Sequence, residues 1–430
     1  MSPTFRSLRN ANYRLYAAGG VVSNTGTWMQ RVAQDWLVLQ LTDNSGIAIG
    51  ITTGLQFLPF LLLAPVAGLV ADRVPKQRLL QLTNLGMAIP ALVLGLLAVT
   101  GTAQTWHVFV LALLLGTAAV FDAPARQSFV SEIVDPEDLS NAVGLNSASF
   151  NAARIVGPAV AGVLIAVLGG GVVATGWVIL VNAISYVGPV VALRRLDVDQ
   201  LDSPSIGVRE PGMIREGVRY VRGRPDLMLI LAIVFFTGTF GLNFQMTSAL
   251  MATEVFDKGP TEYGLLGTFM AVGSLTGSLV AASRERVRHG LVVGAALIFG
   301  AVEIAAGLMP SYLTFALMTP LLGVAALTMI TSANTFMQLN TEPGMRGRVM
   351  ALYMMIFMGG TPLGAPLLGW VGEAYGARWT LILGGALTMV GVLVASLLYR
   401  RAHDVLTPDQ RGSNLVPRVW ASQTLARARK

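Results

Sequence analysis

Twelve long apolar stretches divide this chain of 430 residues. A helix needs about 20 predominantly apolar residues to cross roughly 30 Å of hydrocarbon. Composition agrees, because 53% of the residues are hydrophobic and only 12% are charged, whereas soluble domains have about 25% charged residues. We therefore predict an all-α membrane protein whose twelve transmembrane spans, numbered 1 to 12, cover residues 15–41, 47–71, 79–99, 106–121, 143–168, 173–193, 227–251, 263–282, 291–309, 312–337, 349–371 and 380–399.

The basic residues predict the orientation. Of the 30 Lys and Arg, 26 lie before span 1 or after an even-numbered span, while Lys258 and Arg378 lie on the other side and Arg31 and Arg154 lie within spans. Cytoplasmic loops carry such an excess of positive charge. We expect a multi-pass protein of the bacterial cytoplasmic (inner) membrane with both termini in the cytoplasm. Contact with an anionic inner leaflet explains the net charge of +7, so no nucleic-acid partner is expected.

Several classes of function are excluded by residues that the sequence lacks. It contains no cysteine, which removes disulfides, thiolate catalysis and thiolate metal sites. His107, His289 and His403 are far apart, so no metal site is expected, and no glycine loop typical of ATP binding is present. Span 1 carries Arg31 and Asp35, which is untypical of a cleavable signal peptide. We predict no enzyme and no cofactor, and we do not expect ATP to be the energy source.

Two six-span halves repeat each other. Arg73 and Arg284 end similar segments 211 residues apart, and Gly157 and Gly162 have counterparts 207 residues later in Gly364 and Gly369. Such a repeat is typical of transporters whose two halves rock around a site near the midplane. The predicted domains are an N-terminal bundle (1–193), a cytoplasmic linker (194–226), a C-terminal bundle (227–400) and a basic tail (401–430).

The linker contains one further predicted element. Arg215, Arg219 and Arg222 follow each other at helical spacing, with Val218 and Val221 on a neighbouring face. This pattern predicts a helix lying on the cytoplasmic leaflet. The polar, basic tail from residue 407 is predicted to be disordered.

Four local motifs together resemble the major facilitator superfamily along residues 5–401, and within it the drug and siderophore exporters that include the enterobactin exporter and macrolide efflux proteins. They are Gly68-x-x-Ala71-Asp72-Arg73-x-x-Lys76-Gln77-Arg78, Gly157-Pro158-x-x-Ala161-Gly162, Pro124-Ala125-Arg126-Gln127 followed by Asn151-x-x-Arg154, and the linker run from Arg215 to Arg222. The resemblance implies two pseudo-symmetric six-helix bundles and proton-coupled antiport of amphipathic small molecules by alternating access. A proton-coupled importer or a lysophospholipid-type carrier is the alternative.

The resemblance also implies roles for two of the motifs. Gly68, Asp72, Arg73 and Arg78 would latch the cytoplasmic gate; the alternative is a capped turn and a charged loop. Ser283 stands where a matching aspartate is expected in the second half, so a latch there would be weaker. Gly157, Pro158, Ala161 and Gly162 would seal span 5 against the partner half and limit proton leak, or would simply permit close packing.

Charged side chains within spans are candidates for function because they are costly there. Arg31 and Asp35 are one helical turn apart and able to pair. We predict that Asp35 is the proton-binding carboxylate. Ala112 occupies the position of the arginine that the superfamily's fourth-span motif carries, so either Arg31 or Arg154 is the positive partner or coupling differs from that of the drug antiporters with this motif. The alternative is a static salt bridge bracing spans 1 and 5.

Two further acids have other expected roles. Asp122 is expected to cap a helix or to pair with Arg126 or a loop arginine. For Glu303, structural pairing or exposure at the membrane interface is the first interpretation and proton transfer the second.

The substrate cavity is predicted only from side-chain type and span. The candidates are Trp28, Gln34, Asn243, Gln245, Asn334 and Gln338. Methionines around residues 329–358 suit promiscuous apolar cargo, or they are ordinary packing residues. The expected partners are a small-molecule substrate, protons and lipid, and we expect a monomer.

Overall fold

All twelve predicted spans are helices. The computed structural model describes residues 3–201, 213–282, 284 and 288–406, and every regular element within them is helical. Span 1 is Ala11–Leu41, the most polar of the twelve, with Gln30, Gln34 and Asp35 among its buried side chains. Spans 2 to 12, the eleven described helices that are long and apolar enough to cross a membrane, are Gly46–Arg73, Lys76–Val99, Thr105–Ile133, Pro136–Val167, Val172–Arg194, Pro225–Val255, Pro260–Ala282, His289–Gly307, Tyr312–Leu339, Arg346–Tyr375 and Ala377–Arg401.

Local sequence signals explain where several spans begin. The side chains of Asn10 and Ser45 accept hydrogen bonds from backbone N–H groups in the first turns of spans 1 and 2. Pro136 and Pro225 occupy the first turns of spans 5 and 7, where a missing N–H costs nothing. Span 5 begins at Pro136, seven residues before its predicted start at residue 143.

Successive spans cross in opposite directions, so the start of the first span and the end of the twelfth lie on the same side. The start of span 1, the end of span 12 and the linker therefore share one face, which we call the terminal end, and the opposite face is the distal end. Spans 1–6 form half 1 and spans 7–12 form half 2.

The halves meet through two equivalent pairs, with span 2 packed on span 11 and span 5 packed on span 8. A Cβ added at Gly162 of span 5 would lie 2.4 Å from the carbonyl oxygen of Pro260, which starts span 8. A Cβ added at its repeat partner, Gly369 of span 11, would lie 2.2 Å from the carbonyl oxygen of Gly46, which starts span 2. The internal repeat seen in the sequence is therefore also a repeat of contacts.

The distal end is closed between the halves. A Cβ at Gly50 of span 2 would lie 2.5 Å from the carbonyl oxygen of Ala365, and one at Gly264 of span 8 would lie 2.3 Å from that of Pro158. Ser45 donates a hydrogen bond of 2.7 Å to Glu373 across the same boundary. Residues 32–39, the distal part of span 1, are all buried.

Span 7 departs from regular α-helix at two places. Thr237–Gly241 and Met251–Val255 are π-helical turns, and the chain leaves helical geometry at Leu242 before the helix resumes at Phe244. Such turns frequently occur at functional sites.

The predicted linker helix is present as Met213–Arg222. Val221 is buried among residues of half 2, and Glu216 forms an ion pair of 2.6 Å with Arg348 at the start of span 11. The helix therefore packs on half 2 through Val221. Ser283 and the tail from residue 407 lie outside the described residues.

Candidate functional site

Three hydrogen bonds join ionisable side chains of half 1 to half 2. Tyr263 of span 8 donates to Asp35 at 2.8 Å. Arg31 donates to the side-chain carbonyl of Gln245 on span 7 at 3.4 Å, and Arg154 donates to the hydroxyl of Ser274 on span 8 at 2.6 Å. The three residues predicted to couple transport to protons thus all lie where the halves meet, and we call these six residues the inter-half cluster.

Asp35 is one of the buried members of this cluster. Its carboxyl is buried and receives the hydroxyl of Tyr263, which is also buried. The indole of Trp36 stacks on the Tyr263 ring with centroids 6.3 Å apart and an interplanar angle of 22°. A buried tyrosine hydroxyl needs a hydrogen-bond partner, and a bond to a charged acceptor is about twice as strong as a neutral one. Asp35 thereby ties span 1 to span 8.

Two arginines share one aromatic ring. The guanidinium of Arg31 lies 4.8 Å from the centroid of Trp28, and that of Arg154 lies 5.7 Å from it. Arg31 also lies 5.9 Å from the ring of Phe57 on span 2, and Phe150 of span 5 packs edge-on against Trp28. Cation–π contacts of this kind stabilise a guanidinium that has lost water. The result is a half-buried surface of aromatic rings and fixed positive charge.

The expected ion pairs of Asp35 are not formed. The ion pairs between described residues include neither Arg31 with Asp35 nor Arg154 with Asp35. Asp35 reaches across the boundary to span 8, while Arg31 turns toward Trp28 and span 7. The prediction of a static salt bridge bracing spans 1 and 5 is wrong, because each charge bonds to half 2 instead.

The six predicted cavity residues separate into groups. Trp28 and Gln245 belong to the surroundings of the two arginines. Gln34 is buried and hydrogen-bonds to Gln56 of span 2 at 3.4 Å, and Asn243 is buried and donates to the carbonyl of Thr239 at 2.8 Å. Asn334 and Gln338 bond to each other near the terminal end of span 10. Met329 and Met337 are fully buried packing residues of half 2.

The predicted latch lies at the terminal end of span 2. Gly68 and Asp72 are half-buried, while Arg73 and Arg78 are exposed. In the same loop Lys76 forms an ion pair with Glu132 of span 4. Lys76 thereby ties this loop to the terminal end of span 4.

The glycine-proline motif of span 5 packs on two neighbours. A Cβ at Gly157 would lie 2.6 Å from the Cβ of Trp28 on span 1. Gly264 and Gly267 of span 8 pack against Pro158, and Gly162 packs against Pro260 at the start of span 8. Ala161 is fully buried. Close packing by small residues is confirmed, and the contact with span 8 crosses the boundary between the halves.

Two other acids are now located. Arg126 donates to Asp122 at 2.6 Å and 3.1 Å, so their predicted pairing is confirmed, and Thr83 also donates to Asp122. Glu303 is only 2% exposed and takes part in none of the ion pairs between described residues. The predicted pairing or interfacial exposure of Glu303 is wrong, because span 9 turns this side chain into half 2.

Sequence reasoning missed Tyr263 and Ser274 as partners. They are 11 residues apart on span 8, which is about three helical turns, so they share one face. Gly264 and Gly267 lie near the same face. Polar residues among small ones on one face of a span were the signal that could have identified it.

Comparison with known proteins settles the class. The sequence profile of the family described as transmembrane secretion effector matches residues 2–427. The chain belongs to this family of major facilitator transporters. It is 28% identical to the multidrug efflux pump Tap of Mycolicibacterium fortuitum over 91% of this chain and 96% of that protein. It is 24% identical to the staphyloferrin A transporter of Staphylococcus aureus, over 90% and 96% respectively.

Solved structures share the fold. A bacterial homologue of the human lysosomal transporter Spinster, in an inward-facing and occupied conformation, matches with a TM-score of 0.67 and 18% identity, over 93% of this chain and 98% of that one. The predicted resemblance and the twelve-helix fold are confirmed. The protein is a multi-pass efflux or secretion transporter of the major facilitator type and not an enzyme.

Proposed function

We propose that the protein is a proton-coupled antiporter that exports amphipathic small molecules, drugs or siderophore-like metabolites, from the bacterial cytoplasm. The observation that carries the proposal is the hydrogen bond from Tyr263 to Asp35, which joins a buried carboxyl of half 1 to half 2 where the distal end is closed. A carboxyl that holds two halves together only in one protonation state links proton binding to conformation.

The excess of basic residues at the terminal end supports a cytoplasmic location for that end. With this orientation, the distal end, where the halves are closed against each other, faces away from the cytoplasm. The exporter works as a monomer in a bilayer with an anionic inner leaflet, and it needs no cofactor besides the proton gradient.

The proposed cycle assigns the lock to deprotonated Asp35. As a carboxylate it accepts a stronger bond from Tyr263 than a neutral carboxyl does, and so it keeps the distal end closed while no cargo is bound. Binding energy from cargo opens that end, cargo leaves, and a proton from outside neutralises Asp35. The neutral carrier then returns and releases the proton inside, as alternating access requires. Arg31 and Arg154 bias these steps through their own bonds to half 2.

The chemistry around Trp28 supports the cargo class. Rings of Trp28, Phe57 and Phe150 offer apolar surface, and the guanidinium groups of Arg31 and Arg154 offer donors for an acidic or carbonyl-bearing group. An amphipathic molecule satisfies both. The names of the two relatives, an efflux pump for several drugs and a staphyloferrin A transporter, also support this class.

Accumulation of fluorescent amphipathic drugs and of siderophores in energised cells tests the proposal. Cells would make the wild type, Asp35→Asn, or Asp43→Asn as a matched control at an exposed loop aspartate. We expect cells with the wild type or the control to accumulate less of the compounds, and a protonophore to abolish this difference. Asp35→Asn should not lower accumulation, but it should still exchange substrate across the membrane.

Other results would contradict this assignment. Intact proton-driven export by Asp35→Asn would remove Asp35 from coupling. Higher accumulation with the wild type would make the protein an importer, the alternative function of the same fold.

A further inference from the structure

Glu303 is a buried acid that the proposed cycle does not use. It lies on span 9 inside half 2, with its carboxyl between Gly241 of span 7 and Gly384 of span 12. The charged residues on the spans packed against it bond to other groups or lie at the ends of the spans. Arg378 at the distal end donates to the carbonyls of Gly307 and Met309, Asp226 at the terminal end pairs with Arg224, and Glu254 lies in the last turn of span 7.

Each oxygen of this carboxyl lies close to a glycine position at which an oxygen of another residue also lies. A Cβ at Gly241 would lie 3.2 Å from Oε2 of Glu303 and 3.0 Å from Oγ1 of Thr388 on span 12. A Cβ at Gly384 would lie 3.2 Å from Oε1 and 2.7 Å from the carbonyl oxygen of Phe240. Among the described residues, neither Oε2 nor the Thr388 hydroxyl oxygen has a hydrogen-bond partner.

Physical chemistry decides between the two charge states of such a group. A buried carboxylate without a cationic partner costs several kcal/mol, whereas a neutral carboxyl gains a donor that a nearby hydroxyl or carbonyl oxygen accepts. We propose that Glu303 is a second proton-binding site of the transporter, in half 2, and that it holds its proton in the conformation with the distal end closed. This inference rests on the proposed proton-coupled function.

Span 7 connects this carboxyl to the inter-half cluster. Gly241, which touches Glu303, ends the π-helical turn Thr237–Gly241, and Gln245 four residues later receives the hydrogen bond of Arg31. When the proton leaves Oε2 for water, the remaining carboxylate needs water or new donors. The irregular turn of span 7 must therefore move, and that movement displaces Gln245 from Arg31.

Infrared spectroscopy of the purified full-length protein tests the protonation directly. We expect a carboxylic-acid C=O band at pH 7 that is lost in Glu303→Gln and kept in Asp35→Asn. Thr388→Val should shift the frequency of this band, because it replaces a polar hydroxyl near the carboxyl by a methyl group, and Thr388→Ser, which keeps the hydroxyl, should leave the band in place.

Two spectroscopic results would overturn the proposal. Identical carboxylic-acid bands in wild type and Glu303→Gln would mean that Glu303 is ionised. A band that appears only when sodium is withdrawn at constant pH would make the site a sodium site.

Transport separates this proposal from the preceding one. Glu303→Gln imitates the protonated acid, so we expect proton-driven export to fall at least tenfold while substrate exchange continues. Wild-type export by a folded Glu303→Gln would show that its proton is static and would overturn the second site. Intact export by Asp35→Asn would instead contradict the role of Asp35 and leave the Glu303 result unaffected.

Discussion

At the scale of single residues, the inter-half cluster depends on which way neighbouring side chains turn. Arg31 and Asp35 are one helical turn apart on span 1, yet Asp35 bonds to span 8 and Arg31 bonds to span 7. The charges are thus used to hold the two halves together and not to neutralise each other within half 1. Breaking one of these bonds should change the balance between conformations more than it changes the stability of either half.

Tyr263→Phe tests the bond to Asp35. The substitution removes only the hydroxyl, and a hydrogen bond to a charged group contributes about 1.5–3 kcal/mol, so the closed distal end should lose stabilisation of that size. We expect the rate of proton-driven export to fall about tenfold, measured at a fixed proton gradient.

Tyr312→Phe is the matched control for that measurement. Its hydroxyl also donates a hydrogen bond near the distal end, to the carbonyl of Glu262, but it does not touch Asp35. Equal losses in the two variants would mean that the Tyr263 hydroxyl acts through general packing, contrary to the prediction.

At the scale of elements, glycines set how closely the halves approach. Spans 2, 5, 8 and 11 each place glycine where the other half presents a backbone carbonyl, and a side chain there would hold the helices apart. The same four spans carry the internal repeat. The distal end is therefore closed mainly by the packing of helix faces. The single hydrogen bonds of Asp35 and Ser45 add to that packing.

Gly162→Ala should weaken this closure. The added Cβ would meet the carbonyl oxygen of Pro260 at 2.4 Å, and overpacking of a close contact costs about 1–3 kcal/mol. We expect the distal end to open more often, seen as several-fold faster labelling of Thr261→Cys by a membrane-impermeant maleimide. The chain has no native cysteine, so the signal reports only this site.

Gly144→Ala on the same span is the control, because a Cβ there meets nothing within 4 Å. It should leave labelling of Thr261→Cys unchanged. If Gly162→Ala behaves like Gly144→Ala, span 5 does not limit closure at this position.

At the scale of the whole molecule, two equivalent pairs of spans form most of the boundary between the halves, and span 1 adds contacts with spans 7 and 8. The arrangement follows from duplication, since span 2 on span 11 and span 8 on span 5 are the same contact made twice. Rotation of one half against the other would change both pairs together, so in the proposed cycle a single carboxyl at the boundary influences the entire molecule.

Single cysteines test the orientation of this assembly. Thr102→Cys, in the exposed turn between spans 3 and 4, should react with an impermeant maleimide in intact cells. Ser131→Cys, exposed at the terminal end of span 4, should react only after the membrane is permeabilised. The reverse pattern would place the terminal end outside and contradict the orientation that the basic residues predict.

The sequence alone determined the class, the twelve spans and the repeat, and it identified Asp35, Arg31 and Arg154 as candidates, because apolar length, charge distribution and small-residue motifs are local properties. It did not determine the partners of those residues. Asp35 was expected to meet an arginine and meets Tyr263, and Glu303 was expected at the periphery and is buried in half 2. Such contacts join positions more than 60 residues apart, and they depend on how each helix is rotated about its axis, which only the packing of all twelve spans decides.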